Sequence, residues 1–355
     1  MQKKIIALAV AGLVSGAAFA QSNVTIYGVA DAYYAHGSGN GNDVDVVNGG
    51  GLSGSRLGFK GMEDLGGGLK ALFLYEFGTL AIDGGAGNNG MTGTRQSYVG
   101  LTGGFGTAVA GRLQTPGYDF AAKYDAHGAS IFSPVGQLSD NANASISARD
   151  AGARQDNAVA YISPNFSGLT FKAAYAFGEQ VDAGAVEPQN VWALAADYDA
   201  GPLSVGFVHH NINDIAGVAG TDQTETAVGV NYDFGMAKLF ASYQVQDAET
   251  AAGGTNFDSK MWNIGARAKV GAAGTVGIAY GQLKDDVSNG KAKSWGLDYQ
   301  YAFSKRTTAY AGYSRVSNNS NAAFGLLNVG STATAVAAGG NGKESQIAFG
   351  MRHMF

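Results

Sequence analysis

The residues in this chain that could do chemistry are cations set among apolar neighbours. Arg56 and Lys60 flank Leu57 and Phe59, Arg95 stands three residues before Tyr98, Arg112 separates Gly111 from Leu113, and Arg154 opens a run that ends in Val159 and Tyr161. A guanidinium keeps its charge at any ordinary pH, so such groups attract and steer anions rather than exchange protons. Carboxylates gather in the long stretch 114–153, as Asp119, Asp125, Asp140 and Asp150 beside Lys123 and Arg149. Covalent and metal chemistry find little support. Cysteine is absent, which excludes thiolate ligands and a cysteine nucleophile. His36, His127, His209, His210 and His353 show no His-Glu-x-x-His spacing, and adjacent His209 and His210 point to opposite sides of a strand. The run Gly339 to Glu344 departs from a phosphate loop, with Ala337 at the first glycine position and Glu344 where Ser or Thr belongs. The "GSGNGN" run has no helix after it, so no dinucleotide site follows. The expectation is no cofactor, no metal and no nucleic acid.

What must position these cations is read from the period of the apolar residues. About sixteen segments of roughly ten residues alternate apolar and polar, near 24–35, 53–61, 69–77, 94–101, 107–113, 154–162, 169–177, 190–198, 203–211, 224–233, 237–245, 259–269, 275–283, 292–301, 307–315 and 344–355. In "LKALFLYEF", Leu69, Ala71, Phe73, Tyr75 and Phe77 oppose Lys70 and Glu76. No helical spacing is sustained over a comparable window. Seven short Gly-rich or Pro-rich turns alternate with eight long polar connections, at 36–52, 78–93, 114–153, 178–189, 212–223, 246–258, 284–291 and 316–343. Of the 355 residues 55 are glycine and only 14 % are charged, well below the roughly 25 % of soluble domains.

The medium follows from the end of the chain. Ile347, Phe349, Met351 and the terminal Phe355 keep one face apolar to the last residue. Lipid cannot satisfy exposed backbone groups, so strands in a bilayer must close into a barrel. The expected fold is all-β, a transmembrane sixteen-stranded antiparallel β-barrel too wide for side chains to fill. A secreted β-sandwich or adhesin is the soluble alternative, and would not need sixteen strands. Phases then assign sides. Leu57 and Phe59 outward send Arg56 and Lys60 inward, Tyr98 outward sends Arg95 inward, Val109 and Leu113 outward send Arg112 inward, and Val159 and Tyr161 outward send Arg154 inward. A bare cation on the lipid face would cost about 2–4 kcal/mol at midplane, which supports these phases. Lys172, Lys238, Arg267, Lys269 and Arg352 read as ordinary solvated lumen charge.

The segments "NVTIYGVADAYY" (23–34), "GSRLGFKGMEDLGGGLKALFLYE" (54–76), "RQSYVGLTGGFGTAVAGRLQTPGYD" (95–119) and "RQDNAVAYISPNFSGLTFKAAYAF" (154–177) resemble the general diffusion porins of the Gram-negative outer membrane, most closely their neisserial-type branch. The resemblance covers essentially the whole chain after the leader. It implies a homotrimer in outer-membrane lipid and lipopolysaccharide, passing small hydrophilic solutes and ions passively, with the third loop folded into each lumen as a constriction. It implies that Arg56, Arg95, Arg112 and Arg154, with Lys60, form a basic ladder across from that loop. It also implies that Asp119 and Asp125 are the acids of the opposing wall, and that Phe355 is read by the outer-membrane assembly machinery. The loop lacks the Pro-Glu-Phe stretch of many enterobacterial relatives. A substrate-specific channel would line its path with aromatics, whereas most aromatics here fall on the lipid side; a barrel enzyme is the remaining alternative.

Residues 1–20 read as a leader ahead of a 21–355 barrel domain: Lys3 and Lys4 precede an apolar run from Ile5 to Val14, and Ala18-Phe19-Ala20 forms a cleavage site. Its loss would take the net charge from −5 to −7. Mass spectrometry of protein extracted from outer membranes is expected to find an N-terminal peptide beginning at Gln21. A peptide spanning Ala20–Gln21 as the main species would contradict the assignment.

Overall fold

The computed structural model of the protein describes residues 23–39, 42–78, 93–128, 130–139, 153–178, 189–214, 219–249, 252–326 and 341–355. The expected leader lies outside them, as do Asp140 and Asp150. Seventeen strands form one antiparallel sheet: β1 (Asn23–Gly39), β2 (Asn42–Gly49), β3 (Arg56–Gly66), β4 (Leu69–Gly78), β5 (Gly93–Gly103), β6 (Gly106–Gln114), β7 (Arg154–Ile162), β8 (Leu169–Ala176), β9 (Asn190–Ala200), β10 (Leu203–Asn213), β11 (Gln223–Asp233), β12 (Ala237–Glu249), β13 (Thr255–Val270), β14 (Gly274–Asp285), β15 (Lys291–Ala302), β16 (Thr307–Asn318) and β17 (Lys343–Met354). Each pairs with the next except β2 with β3, which both pair with β1, and β17 returns to β1, so the sheet closes. At the seam Gly28 and Phe355 exchange backbone hydrogen bonds of 2.9 and 3.0 Å.

The barrel nevertheless has sixteen wall positions. The long β1 pairs with β2 through residues 32–39 and with β3 through residues 23–29, so β2 and β3 share one side of it. The expected loop at 36–52 is thus largely a hairpin that extends the wall. The break between β2 and β3 is organised by Asp31, fully buried on the lumen side of β1. Its carboxylate accepts from the backbone N–H of Gly51, Leu52 and Ser53 at 2.9–3.2 Å and from the Tyr310 hydroxyl at 2.5 Å. Three amides and a hydroxyl offset the cost of burying one charge, which an unpaired carboxylate would not survive.

Outside, the apolar band is continuous: Ile26, Val99, Phe171, Leu194, Val228, Ile264, Ile278 and Phe349 are all exposed. Buried apolar residues instead lie within the lumen, at the seam between the wall and the segment after β6. Among its described residues that segment forms two helices which the period-two reading did not anticipate, α1 (Pro116–Tyr124) and α2 (Pro134–Ser139). The start of α1 is legible in hindsight. The Thr115 side chain caps it by accepting from Tyr118 N–H at 3.3 Å, Pro116 occupies the first turn, Asp119 sits at the positive end and Lys123 at the negative end. Phe120 and Tyr124 pack with Ala195, Val208 and Ala227 of β9–β11. Val135 and Leu138 of α2 pack with Met261, Leu283 and Ala292 of β13–β15. Ile131 and Phe132 reach Tyr33 and Tyr310. The constriction loop expected from the resemblance therefore does fold inward, flat against roughly half of the wall.

It fits because the wall beneath it lacks side chains. A Cβ on Gly206 or Gly229 would fall 2.3 or 2.5 Å from the Tyr124 ring, on Gly265 2.6 Å from Ala126, and on Gly296 1.9 Å from the Phe132 carbonyl oxygen. Those are distances that real atoms do not adopt, so glycine is a requirement of close approach here. Replacing Gly296 with Val should push the loop off β15 and destabilise the barrel by about 1–3 kcal/mol, the usual cost of overpacking. Thermal unfolding should shift down and single-channel conductance should change, while Gly104→Ala, in a turn with open space around it, should change neither. An unaltered conductance in the Gly296 variant would contradict this seating.

Candidate functional site

The lumen wall left bare by the loop, β3 to β8, carries the cations. Arg56 lies at the start of β3, with Nε donating to the Gly54 carbonyl at 2.9 Å and Nη1 3.8 Å from Glu76 Oε1. Arg95 of β5 donates from Nε to the same Glu76 oxygen at 2.6 Å. Glu76 is 4 % exposed and also accepts from the Tyr27 hydroxyl at 2.9 Å. One carboxylate thus anchors two arginines. Arg154, at the start of β7, reaches Gln114 Oε1 at 3.4 Å and lies over the Tyr118 ring at 5.1 Å from its centroid. Two arginines beside one carboxylate leave charge unneutralised, and Arg154 has no acid of its own among the described residues.

The loop side of the gap is sparse in acid. Asp119 on α1 is half-exposed, and its oxygens take Gln114 Nε2 at 2.5 Å and Lys172 Nζ at 3.4 Å. Lys172, set aside from the sequence as solvated charge, therefore belongs to the site; it lies 3.5 Å from Asp197 as well. Asp125 does not face the lumen. It follows α1 between buried Tyr124 and Ala126, is 2 % exposed itself, and its carbonyl accepts from Gly128 N–H, so its place is in the loop-wall seam. Lys123 turns back to the wall, held by Asp197 at 2.9 Å and Asp199 at 3.0 Å. Burial opposes its charge, but those carboxylates hold the ammonium well above its ordinary pKa.

Arg112 does not join the group. On β6 the exposed residues are Ala108 and Ala110, in line with Val99 and Leu101 of β5 and Val159 and Tyr161 of β7. Val109 and Leu113 pack inward with Ala158, Ala176 and Val191, so the expected phase is inverted and Arg112 falls in the outward row. It donates to the Thr94 carbonyl at 2.8 Å and pairs with exposed Asp156 at 2.8 Å. Small residues on the lipid side and larger ones on the lumen side misled the assignment. Tyr98 is inverted for the same reason: it packs inward against Leu113 and its neighbours. Arg95 reaches the lumen because the ladder shifts register between Glu76 and Phe77, which restores the side that regular alternation from an outward Val99 would deny it. Lys60 is on the lumen side but four residues along β3 from Arg56, about 13 Å toward the short-turn end, where it sits over the Tyr27 ring at 5.2 Å. Phe355 is half exposed at the seam, its ring over Gly28.

Tyr27, Glu76, Tyr98 and Tyr118 were not singled out by sequence. Glu76 could have been, since it is the inward carboxylate in "LKALFLYEF". The rest needed the loop path.

Comparison with known proteins identifies the family of the barrel. The family model described as Gram-negative porin matches residues 7–322. The chain is 35 % identical to outer membrane porin protein 32 of Delftia acidovorans over 361 residues, covering all of both chains. It is 28 % identical to the major outer membrane protein P.IB of Neisseria meningitidis serogroup B, over 87 % of this chain and 91 % of that one. Among solved structures it resembles the "Anion-selective porin from Comamonas acidovorans", with a TM-score of 0.84 and 30 % identity over 94 % of this chain and 100 % of that one. A closed barrel with an apolar exterior, an inward loop and a charged gap, matched along nearly its whole length by porins, places this chain in the Gram-negative porin family as a passive diffusion channel of the outer membrane.

Proposed function

We propose that this porin prefers anions, and that Arg56, Arg95 and Arg154, facing α1 of the inserted loop, set the preference. The observation that carries the reading is their convergence on a wall where Glu76 is the neighbouring acid, opposite a loop whose exposed acid among the described residues is Asp119, already engaged by Lys172. Ions respond to charges at the narrowest point, where low-dielectric walls focus the field. The chain's net charge of −5 resides largely elsewhere, and water and salt screen exposed charges beyond a Debye length of about 8–10 Å. The solved relative whose title calls it anion-selective supports the reading. Small hydrophilic solutes would share the path. Assembly as a trimer in lipopolysaccharide-containing membrane, and use of Phe355 as an assembly signal, are part of the same reading; a solved barrel of the same fold is described as a trimer form.

Reversal potentials in a salt gradient test the assignment residue by residue. Replacing Arg56, Arg95 and Arg154 together with Gln should move the reversal potential across zero toward cation preference. Arg112→Gln should leave it unchanged, because that side chain lies in the outward row. A triple variant that behaves as wild type, or a comparable shift from Arg112→Gln, would refute the proposed ladder.

A further inference from the structure

A buried histidine joins the inserted loop to the wall, and its two partners make the same demand of it. His127 lies between α1 and α2 with its ring against β15. Nδ1 is 2.6 Å from Asp298 Oδ1, and Nε2 is 3.1 Å from the Gly296 carbonyl oxygen. Both partners are acceptors. A carbonyl has no proton to give, and the other contacts of Asp298 are donors: Arg267 Nη2 reaches both of its oxygens at 2.8 and 2.9 Å, and Gln300 Nε2 reaches Oδ2 at 2.8 Å. Two acceptors need two ring N–H groups, which only the imidazolium has. A neutral ring has one, so either tautomer turns a lone pair toward an oxygen. The His127 and Asp298 side chains are 0 % and 1 % exposed, which leaves no room for water to mend the mismatch.

The charges around the ring fit the same state. Asp298 comes from β15. Arg267 comes from β13 and reaches Asp298 over Gly277 of β14, where a Cβ would fall 2.4 Å from Asp298 Oδ1. From β16, Gly312 lies opposite Asp298 and brings no charge. The ring's own segment adds Asp125, two residues earlier and 2 % exposed. One guanidinium and one imidazolium balance two carboxylates, whereas a neutral ring would leave a buried negative charge in excess. The loop's other histidine contact has the opposite requirement. His210 Nε2 accepts from the Gly117 N–H at the start of α1, at 3.1 Å, with Glu225 3.6 Å from Nδ1, so a singly protonated ring serves there.

We propose that His127 is the positioning residue that fastens the constriction loop to β15, and that it does so only as an imidazolium. The seated loop then holds a proton that the released loop can lose. Seating therefore holds near neutrality and weakens as pH rises through the titration of this ring, by about tenfold for each pH unit beyond it. The contact at His210 needs no second proton, so alkaline pH leaves α1 in place. What loosens is the turn that carries His127 and, beyond it, Phe132 over Gly296.

The test reads the ring and the channel separately. Nitrogen-15 spectra of full-length, detergent-folded protein labelled at its five histidines should show, at neutral pH, one doubly protonated ring whose N–H protons exchange slowly with solvent. His210, also buried, should show a single N–H. Single-channel recordings in planar bilayers from about pH 6.5 to about pH 9.5, below the lysine and tyrosine range near 10, should show brief closures that multiply with pH. His127→Gln keeps a donor but cannot titrate, so its record should not change with pH. His36→Gln, at a half-exposed histidine of β1, should keep the wild-type profile. Absence of a protected, doubly protonated ring would overturn the proposal without recourse to any variant. So would wild-type closures that do not change with pH, or the wild-type profile persisting in His127→Gln.

Discussion

The close approach of a loop to a wall without side chains governs this structure. Where the Phe132 carbonyl comes within 1.9 Å of the place a Cβ would occupy on Gly296, no other residue type can stand. The same holds under Tyr124 at Gly206 and Gly229. These contacts decide which half of the lumen the segment after β6 covers. They also decide which half stays open to water. The covered half spends its polar groups on fixing the loop: Gln137 and Gln346 both donate to the Ile131 carbonyl, at 2.8 and 2.9 Å, and His127 reaches Asp298 at 2.6 Å. Buried hydrogen bonds of this kind rigidify what they hold.

The open half inherits the unpaired charge. The described part of the loop, 115–128 and 130–139, lies against β9–β17 and, among the described residues, turns one exposed acid, Asp119, toward the arginines of β3–β7. Its one exposed described acid is met first by Lys172 and Gln114. Packing and selectivity are thus two consequences of one placement. The glycines set where the loop lies, and the loop's position sets which charges an ion meets. The overall negative charge of the chain has little bearing on that encounter.

Much of the architecture was legible in the sequence, and the failures have physical causes. Period two located every strand but β2, which it read as loop, within a few residues, and the apolar alternation to Phe355 indicated closure. The side of a strand was harder. On β7, large outward Val159 and Tyr161 identified the phase of the strand, while Arg154 lies beyond the register shift opposite Gly111–Leu113 and is located by the Tyr118 ring it covers. On β5 and β6 the lipid face is built from Val99 and Leu101 beside Ala108 and Ala110, while Tyr98, Val109 and Leu113 turn inward to pack with Ala158, Ala176 and Val191 of the neighbouring wall, so side-chain size pointed the wrong way. Arg112 was misplaced as a result, and Arg95 reached its expected side through a register shift. Glycine told more than its abundance suggested. Trp295-Gly296-Leu297 and Val228-Gly229-Val230 each show an inward glycine between outward apolar residues, which is the mark of the loop's seat. That pattern becomes readable only once something is known to lie on it.

The central claim is that the gap between the arginine wall and the loop is net positive to a passing ion. The reversal potential of the wild-type channel in a tenfold potassium chloride gradient reads that sign directly. The account predicts a potential displaced toward the chloride equilibrium potential, and one displaced toward potassium would contradict it.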